Sequence, residues 1–579
     1  YQTKIVGFHS GGASDACYGV LLTLEDINEV VQHADFEDPW KRMIVKGKPT
    51  DLPEGPCVEY LGKYVETTKP CGQQSLEHWN LSPWASQFEE QMQPAPLDPT
   101  DNRIKEAVPL NLNGKPSLLL KPNGAMCSQL PKMDEKILKT CVEQMSKEYI
   151  AKIGFVNTCS SDMETLLDEA VNGHATNEFC KGMVLEKSCG IPWNGLPGVT
   201  KKSDFLLNTD GNITFKEGNG EILKKRITEK IVRSNQGQRL ISFSNSKLKD
   251  AQVKISAVEA GKTRVFHCIP VDKVITDAAL YGHFKESYTK AFLNLNHTLG
   301  VNPHSSMWKD VYEHLTVHPN IFDLDFTNYD KYLHQDLLNS VYDIIHAVID
   351  EKAADEWKQA RKVLANESIE TYVIDYDTVY KTTRGNKSGE YLTTIVNCIA
   401  NDILSFYSWI KLTEIDDISI YRDNSSLVSF GDDKVQSVSD DYKEIYNYYT
   451  MKKVMTEIGH KITPGSKDGI ERAFCSIDQI QFLKRGFDEL DGQIVAPLLT
   501  RSIECPFVWT RIEDSEEEIW KNLIEMHIFE AVLHGEEYYN KFVKALRSGT
   551  NEALNKVIAP LTSVPFSIAK VRYFRFYHE

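Results

Sequence analysis

The sequence predicts an α+β fold in which helices back one face of a small antiparallel sheet, and three observations lead there. Leu427-Val428-Ser429-Phe430 and Val435 to Val438 alternate as half-buried strands do, with Gly431-Asp432-Asp433 as the turn between them. Ile321-Phe322-Asp323-Leu324-Asp325-Phe326 reads as a further strand, with Asp323 and Asp325 on one face because side chains alternate with period two. Thr393 to Leu412 is a long helix, strongly apolar after Asp402. A strand, a long helix, a hairpin and another helix follow one another as in a layered α+β domain.

Taken in order, residues 1 to about 125 are rich in proline and glycine, as in Asp51-Leu52-Pro53-Glu54-Gly55-Pro56 and Gln93-Pro94-Ala95-Pro96, which predicts extended segments laid over a larger body. Pro131 to Tyr149 has helical apolar spacing, and Lys187-Ser188-Cys189-Gly190-Ile191-Pro192-Trp193 is a loop of turn formers. Asp277 to Leu299, Asp440 to Gly459 and Asp514 to Leu546 are each expected to be helical. There are no internal repeats.

With 579 residues, 41% of them hydrophobic, the chain is expected to form three or so subdomains. No apolar run approaches the roughly 20 residues that span a bilayer, so a soluble protein is expected. The 12 cysteines form no Cys-x-x-Cys pair and suit buried thiols in a reducing cytosol. The chain begins at Tyr1 rather than methionine, as expected of a segment released from a longer precursor or of a trimmed chain.

The net charge of −17 argues against a nucleic-acid partner when taken as a total. Between Leu223 and Arg264, however, 11 basic residues face three acids. Charge is therefore segregated, as in an acidic body with one basic channel.

Asp325 on a strand and Asp432-Asp433 on a hairpin could converge if the strands are neighbours. Two such charges about 4 Å apart repel by about 4 kcal/mol at an effective dielectric near 20, so the cluster calls for cations. Hard carboxylate oxygens select Mg2+ or Mn2+, and a pair of such ions suits phosphoryl or nucleotidyl transfer. The plain alternative is a solvated hairpin tip. Gly261-Lys262-Thr263 is not a phosphate-binding Walker loop, because Ser256 stands where the first glycine belongs. His527, Glu530 and His534 share helical spacing but lack a zinc signature and are expected to be helix surface.

Asp325-Phe326-Thr327-Asn328-Tyr329-Asp330, then Ser388-Gly389 with Thr393 and Asn397, then Phe430-Gly431-Asp432-Asp433 resemble, in order and spacing, the palm motifs of picornavirus-like positive-strand RNA virus RNA-dependent RNA polymerases. Phe482-Leu483-Lys484-Arg485 is similar to that family's primer-grip hairpin, and His534 to Phe542 to its thumb. Lys249-Asp250 and Gly261 to Arg264 resemble its basic fingers motif. The resemblance covers roughly residues 180 to 545.

This resemblance implies a closed right hand of fingers, palm and thumb, divided as residues 1–280 (N-terminal extension and fingers), 281–327 (palm), 328–386 (fingers insertion), 387–493 (palm) and 494–579 (thumb). It implies template-directed RNA synthesis, with two Mg2+ or Mn2+ ions held by Asp325 and Asp432 and supported by Asp433. Asp323 lies outside the family motif and is expected to be structural or solvated. Lys467 would protonate departing pyrophosphate. Asp330, with Ser388, Thr393 and Asn397, would sense the ribose 2'-hydroxyl, the group that separates RNA from DNA precursors. Lys249, Lys262 and Arg264 would meet the triphosphate, and Lys187, Ser188, Lys484 and Arg485 would contact RNA.

The partners so implied are template and product RNA, ribonucleoside triphosphates and a small tyrosine-linked protein primer. The expected place is the host cytoplasm, at replication membranes reached through other proteins. The sequence departs from familiar members at Phe430, where tyrosine is usual, at Tyr1, where they have glycine, and in roughly 90 extra residues before the fingers motif. In length it looks more like enzymes of insect-infecting iflaviruses and dicistroviruses. A reverse transcriptase or DNA polymerase is disfavoured by Asp330 and Asn397. A silent RNA-binding scaffold is disfavoured by three retained carboxylates.

Overall fold

The computed structural model describes residues 6–13, 16–22, 44–45, 57–64, 76–110, 115–120, 129–156, 159–173, 181–350, 356–465, 469–513, 515–549 and 552–578. Among them, no helix is long and apolar enough to cross a membrane.

Two sheets organise the fold. A three-stranded antiparallel sheet places the strand after the aspartate doublet, Asp433–Val438, between Asn320–Asp323 and Ser425–Phe430. Val435 therefore faces Asp323 on one side and Val428 on the other. The second sheet has six strands and carries Lys247 of the basic block: Phe243–Leu248 pairs antiparallel with Val265–Cys268 and parallel with Thr371–Asp375, while Lys224 to Arg233 lie on the helix Asn219–Asn235.

The helix Thr393–Thr413 packs across the three-stranded sheet and is buried at every position from Ile395 to Ile410. Its sequence explains most of this, since apolar residues recur on every side of the helix, which suits a core rather than a surface, and Asn397, Asn401 and Asp402 find bonding partners there. Helices Glu135–Ile153 and Gln335–Asp350 flank it, and Asp134 caps the first by accepting the N–H groups of Lys136 and Ile137.

Several expected elements are divided or shortened. The strand expected over 321–326 divides at Leu324, because Asp325–Phe326 leaves the first sheet and pairs with Ile462–Thr463. Asp323 is buried and Asp325 exposed. Asp323 Oδ1 accepts the Gly465 N–H at 3.2 Å, and a Cβ at Gly465 would lie 2.3 Å from Asp323 Oδ2, so a larger residue there would displace the Asp323 carboxylate. The helix expected over 440–459 forms only at Tyr448–Glu457, where Asn447 caps it. The one expected over 514–546 is two, Glu517–Val532 and Gly535–Ser548, separated at Gly535 with φ +80°.

The C-terminal helices enclose their own core of Trp520, Ile524, Ile528, Tyr539, Phe542 and Leu546. Trp84 enters it from the other end of the chain. Its indole N–H donates to the Leu546 carbonyl at 2.6 Å and its ring lies 4.8 Å from that of Trp520. The N-terminal segment is thereby built into the C-terminal helices.

Candidate active site

The doublet hairpin is a two-residue turn with Gly431 at φ +68° in its first central position, a conformation that favours glycine. Helix Thr393–Thr413 holds it from below: Asn401 Nδ2 donates to the Gly431 carbonyl at 2.7 Å, and the Gly431 N–H points at Cys398 Sγ at 3.1 Å. Asp432 projects from the tip into solvent. Asp433 is half-buried, and its Oδ2 accepts the Leu483 N–H at 2.7 Å. Beneath them Lys434 is buried, its Nζ donates to Ser405 Oγ at 2.6 Å, and desolvation lowers its pKa to about 7.

The acids gather. Burial, and then the charges of Asp432, Asp325 and Asp323, raise the Asp433 pKa to about 6 against the single opposing bond from Leu483. Chain positions more than a hundred residues apart thus act on one another electrostatically. Asp330 is raised by burial too, with Lys331 opposing and Asp432 adding to the rise. Among the described residues, no three His, Cys, Asp or Glu side chains are already closed round one point as a metal cage. The donor set is nevertheless all carboxylate oxygen and mutually repulsive, with Asp325 and Asp432 open to solvent, and it fits hard divalent cations.

Beside the acids lies a polar network. Asn386 donates its backbone N–H to the Asp330 carbonyl at 2.7 Å and its side-chain Nδ2 to Asn397 Oδ1 at 2.8 Å and to the Thr393 carbonyl at 2.9 Å. Thr393 Oγ1 donates to the Glu390 and Lys387 carbonyls at 2.7 and 3.0 Å, which ties its hydroxyl to the start of the helix. Ser388 is exposed and its Oγ accepts the His267 N–H at 3.3 Å. A Cβ at the neighbouring Gly389 would come 2.0 Å from the His267 carbonyl oxygen, so the loop passes this strand at glycine distance.

The expected basic residues are distributed over three regions. Lys249, Lys262 and Arg264 are all exposed, and the Lys249 N–H donates to the Arg264 carbonyl at 2.8 Å, so these two stand side by side at one end of the six-stranded sheet. Lys187 and Ser188 are exposed on the loop next to Lys201 and Lys202. Lys484 is exposed on a tight turn at φ +60°. Lys467 lies outside the described residues.

A family model described as viral RNA-dependent RNA polymerase matches residues 82–550, which takes in the hairpin, the network and all three basic regions. The chain belongs to that family. It is similar to the replication polyprotein of Nora virus, 45% identical over 586 residues that cover 99% of this chain and 28% of the relative. It is also similar to the replicase polyprotein of Cricket paralysis virus, 27% identical over 411 residues that cover 68% of this chain and 23% of the relative. It thus spans about a quarter of the length of these relatives. Among solved structures, a Sicinivirus 3Dpol RNA dependent RNA polymerase aligns with a TM-score of 0.71 at 17% identity, covering 90% of this chain and 99% of that one. The fold is that of a right-hand polymerase.

Within this viral polymerase fold two expectations are corrected. Arg485, expected to contact RNA, turns its guanidinium inward: Nη1 and Nη2 donate to Glu530 at 2.9 and 2.6 Å, and Nη1 also donates to the Ala496 carbonyl at 2.7 Å. Glu530, expected on a helix surface, is buried, and His304 Nε2 approaches it at 3.1 Å. Burial alone would raise the Glu530 pKa, but the bonds from His304 and Arg485 prevail and lower it to about 2. An arginine in a turn looks like an RNA contact until its partner, 45 positions later, is known. Asn386 was missed for a different reason: between Gly385 and Lys387 it reads only as a turn former.

Proposed function

We propose that this chain performs template-directed RNA synthesis, adding ribonucleotides to an RNA or peptide-linked primer during viral genome replication. One observation carries the reading: the hairpin that bears Asp432 and Asp433 pairs with the strand that ends at Asp323, two residues before Asp325, and the Asp330, Asn386 and Asn397 network lies beside it. Divalent ions held by Asp325 and Asp432, with Asp433 in support, would activate the primer 3'-hydroxyl and stabilise the leaving phosphate oxygen. Asn401 and Leu483 fix the two ends of the doublet so that its carboxylates meet the reacting phosphate at a set place. Lys249, Lys262 and Arg264 bind the triphosphate, and Asp330 and Asn397 sense the ribose, with Ser388 on the exposed rim. Lys467 supplies the proton to pyrophosphate, and Lys187, Ser188 and Lys484 guide RNA.

In this reading the fingers comprise residues 1–280 and 328–386, the palm 281–327 and 387–493, and the thumb 494–579. The work takes place in host cytoplasm at replication membranes, with a small tyrosine-linked protein as one primer. Primer extension on an RNA template with Mg2+ or Mn2+ and either ribo- or deoxyribonucleotides tests this. Ribonucleotide addition that Asp432→Ala abolishes, while RNA binding persists, is the expected result. Undiminished synthesis by Asp432→Ala, or equal use of deoxyribonucleotides, would refute it.

A further inference from the structure

We infer that Asn386 is a positioning residue for ribose selection, because it fixes which end of the Asn397 amide faces the nucleotide. The inference rests on the proposed ribose-sensing role of Asn397 and extends it to Asn386, two positions before Ser388.

The hydrogen bonds leave one assignment. The Thr393 carbonyl, 2.9 Å from the Asn386 side chain, can only accept, so the atom facing it is the Asn386 amide nitrogen. That nitrogen has a second proton, and 2.8 Å away lies the Asn397 side chain. The atom of Asn397 that meets a donor has to be its oxygen. Its own amide nitrogen then faces the other way and acts as a donor. A ribose 2'-hydroxyl both donates and accepts, so it can accept from Asn397 while donating to a carboxylate such as Asp330. The Asn386 backbone N–H holds the Asp330 carbonyl at 2.7 Å. One residue therefore sets the spacing of both ribose-facing groups and the polarity of one of them. Asn386 is itself buried, and Thr393 and Asn397 lie one helical turn apart, so its planar amide spans two fixed acceptors.

Selection is read as the ratio of kcat/KM for a matched ribonucleotide to that for its 2'-deoxy analogue, on one primed RNA template. Asn386→Ala is expected to lower ribonucleotide efficiency about tenfold, the effect of one misplaced hydrogen bond, and to leave the deoxy analogue within about twofold. Asn386→Asp is expected to do at least as much, since an acceptor at this position would attract the Asn397 nitrogen and reverse the amide. Combining Asn386→Ala with Asn397→Ala is expected to add nothing to Asn397→Ala alone, because the first residue acts through the second. If the alanine variant does not fold, Asn386→Ser, too short to reach both acceptors, carries the same expectation. Equal losses for both nucleotides, or additive losses in the double variant, would overturn the inference and leave ribose sensing by Asn397 standing. Unchanged selection in Asn397→Ala would overturn both.

Discussion

Trp84→Ala should loosen the C-terminal helices although its position lies more than four hundred residues before them. The indole is fully buried, 4.8 Å from the Trp520 ring and 5.8 Å from the Phe507 ring in edge-on contacts, and it donates to the Leu546 carbonyl at 2.6 Å. Leu546 sits in the last turn of helix Gly535–Ser548, where carbonyls have no partner within the helix, so the indole supplies one. Truncating a buried tryptophan destabilises by roughly 3–5 kcal/mol through lost burial and the cavity left behind. In a chain this long, with several cores, that loss falls on local opening rather than on one global transition. Amide hydrogen exchange in Glu517–Val532 and Gly535–Ser548 should accelerate by roughly a hundredfold or more, since each 1.4 kcal/mol is a factor of ten. Trp84→Phe keeps an aromatic ring but loses the N–H, and should accelerate exchange by only about fivefold, the worth of one hydrogen bond near 1 kcal/mol. Leu81, 61% exposed, serves as the neutral neighbour when changed to alanine. Exchange in both helices within twofold of the parent protein after Trp84→Ala would refute the reasoning.

Three more outcomes follow from the structure. Glu530→Ala should destabilise by about 3–5 kcal/mol in urea unfolding, because it strands Arg485 and His304 beside a partly buried site, whereas Arg485→Ala should impair stability more than RNA affinity. The same pair predicts acid sensitivity: Glu530 has a folded pKa of about 2, below its unfolded value, so its contribution is complete above about pH 4.5 and is lost as pH falls towards 2, which unfolding at stepped pH would read. Gly389→Ala should depress ribonucleotide incorporation at least tenfold while thermal unfolding shows a folded protein, since the new Cβ meets the His267 backbone at 2.0 Å and has to push the Ser388 loop away. Unaltered incorporation kinetics would show that the loop position is not limiting.

Elements whose pattern is local were legible in the sequence. The hairpin appears with Phe430 opposite Asp433, and the apolar helix runs Thr393–Thr413 against an expectation of 393–412. Features set by partners distant in the chain were not. Leu324 carries no turn signal, yet the strand divides there because Ile462–Thr463 offers the second half another edge. The long C-terminal helix divides at Gly535, where the apolar period continues but a left-handed backbone intervenes. The family motif supplied the site acids, while Asn386 and Glu530 emerged only when their bonding partners could be seen.

The Trp84 contact also bears on how the protein is made. Its acceptor, Leu546, lies 462 positions later, so at ribosomal speeds of about 5–20 residues per second roughly 20–90 s separate the synthesis of the plug from that of its socket. For that interval a large aromatic side chain waits without its niche, exposed to chaperones and to neighbouring nascent chains. The contact closes only once Leu546 has been made, so the strap around Trp84 acts as a latch that engages late in the synthesis of these residues.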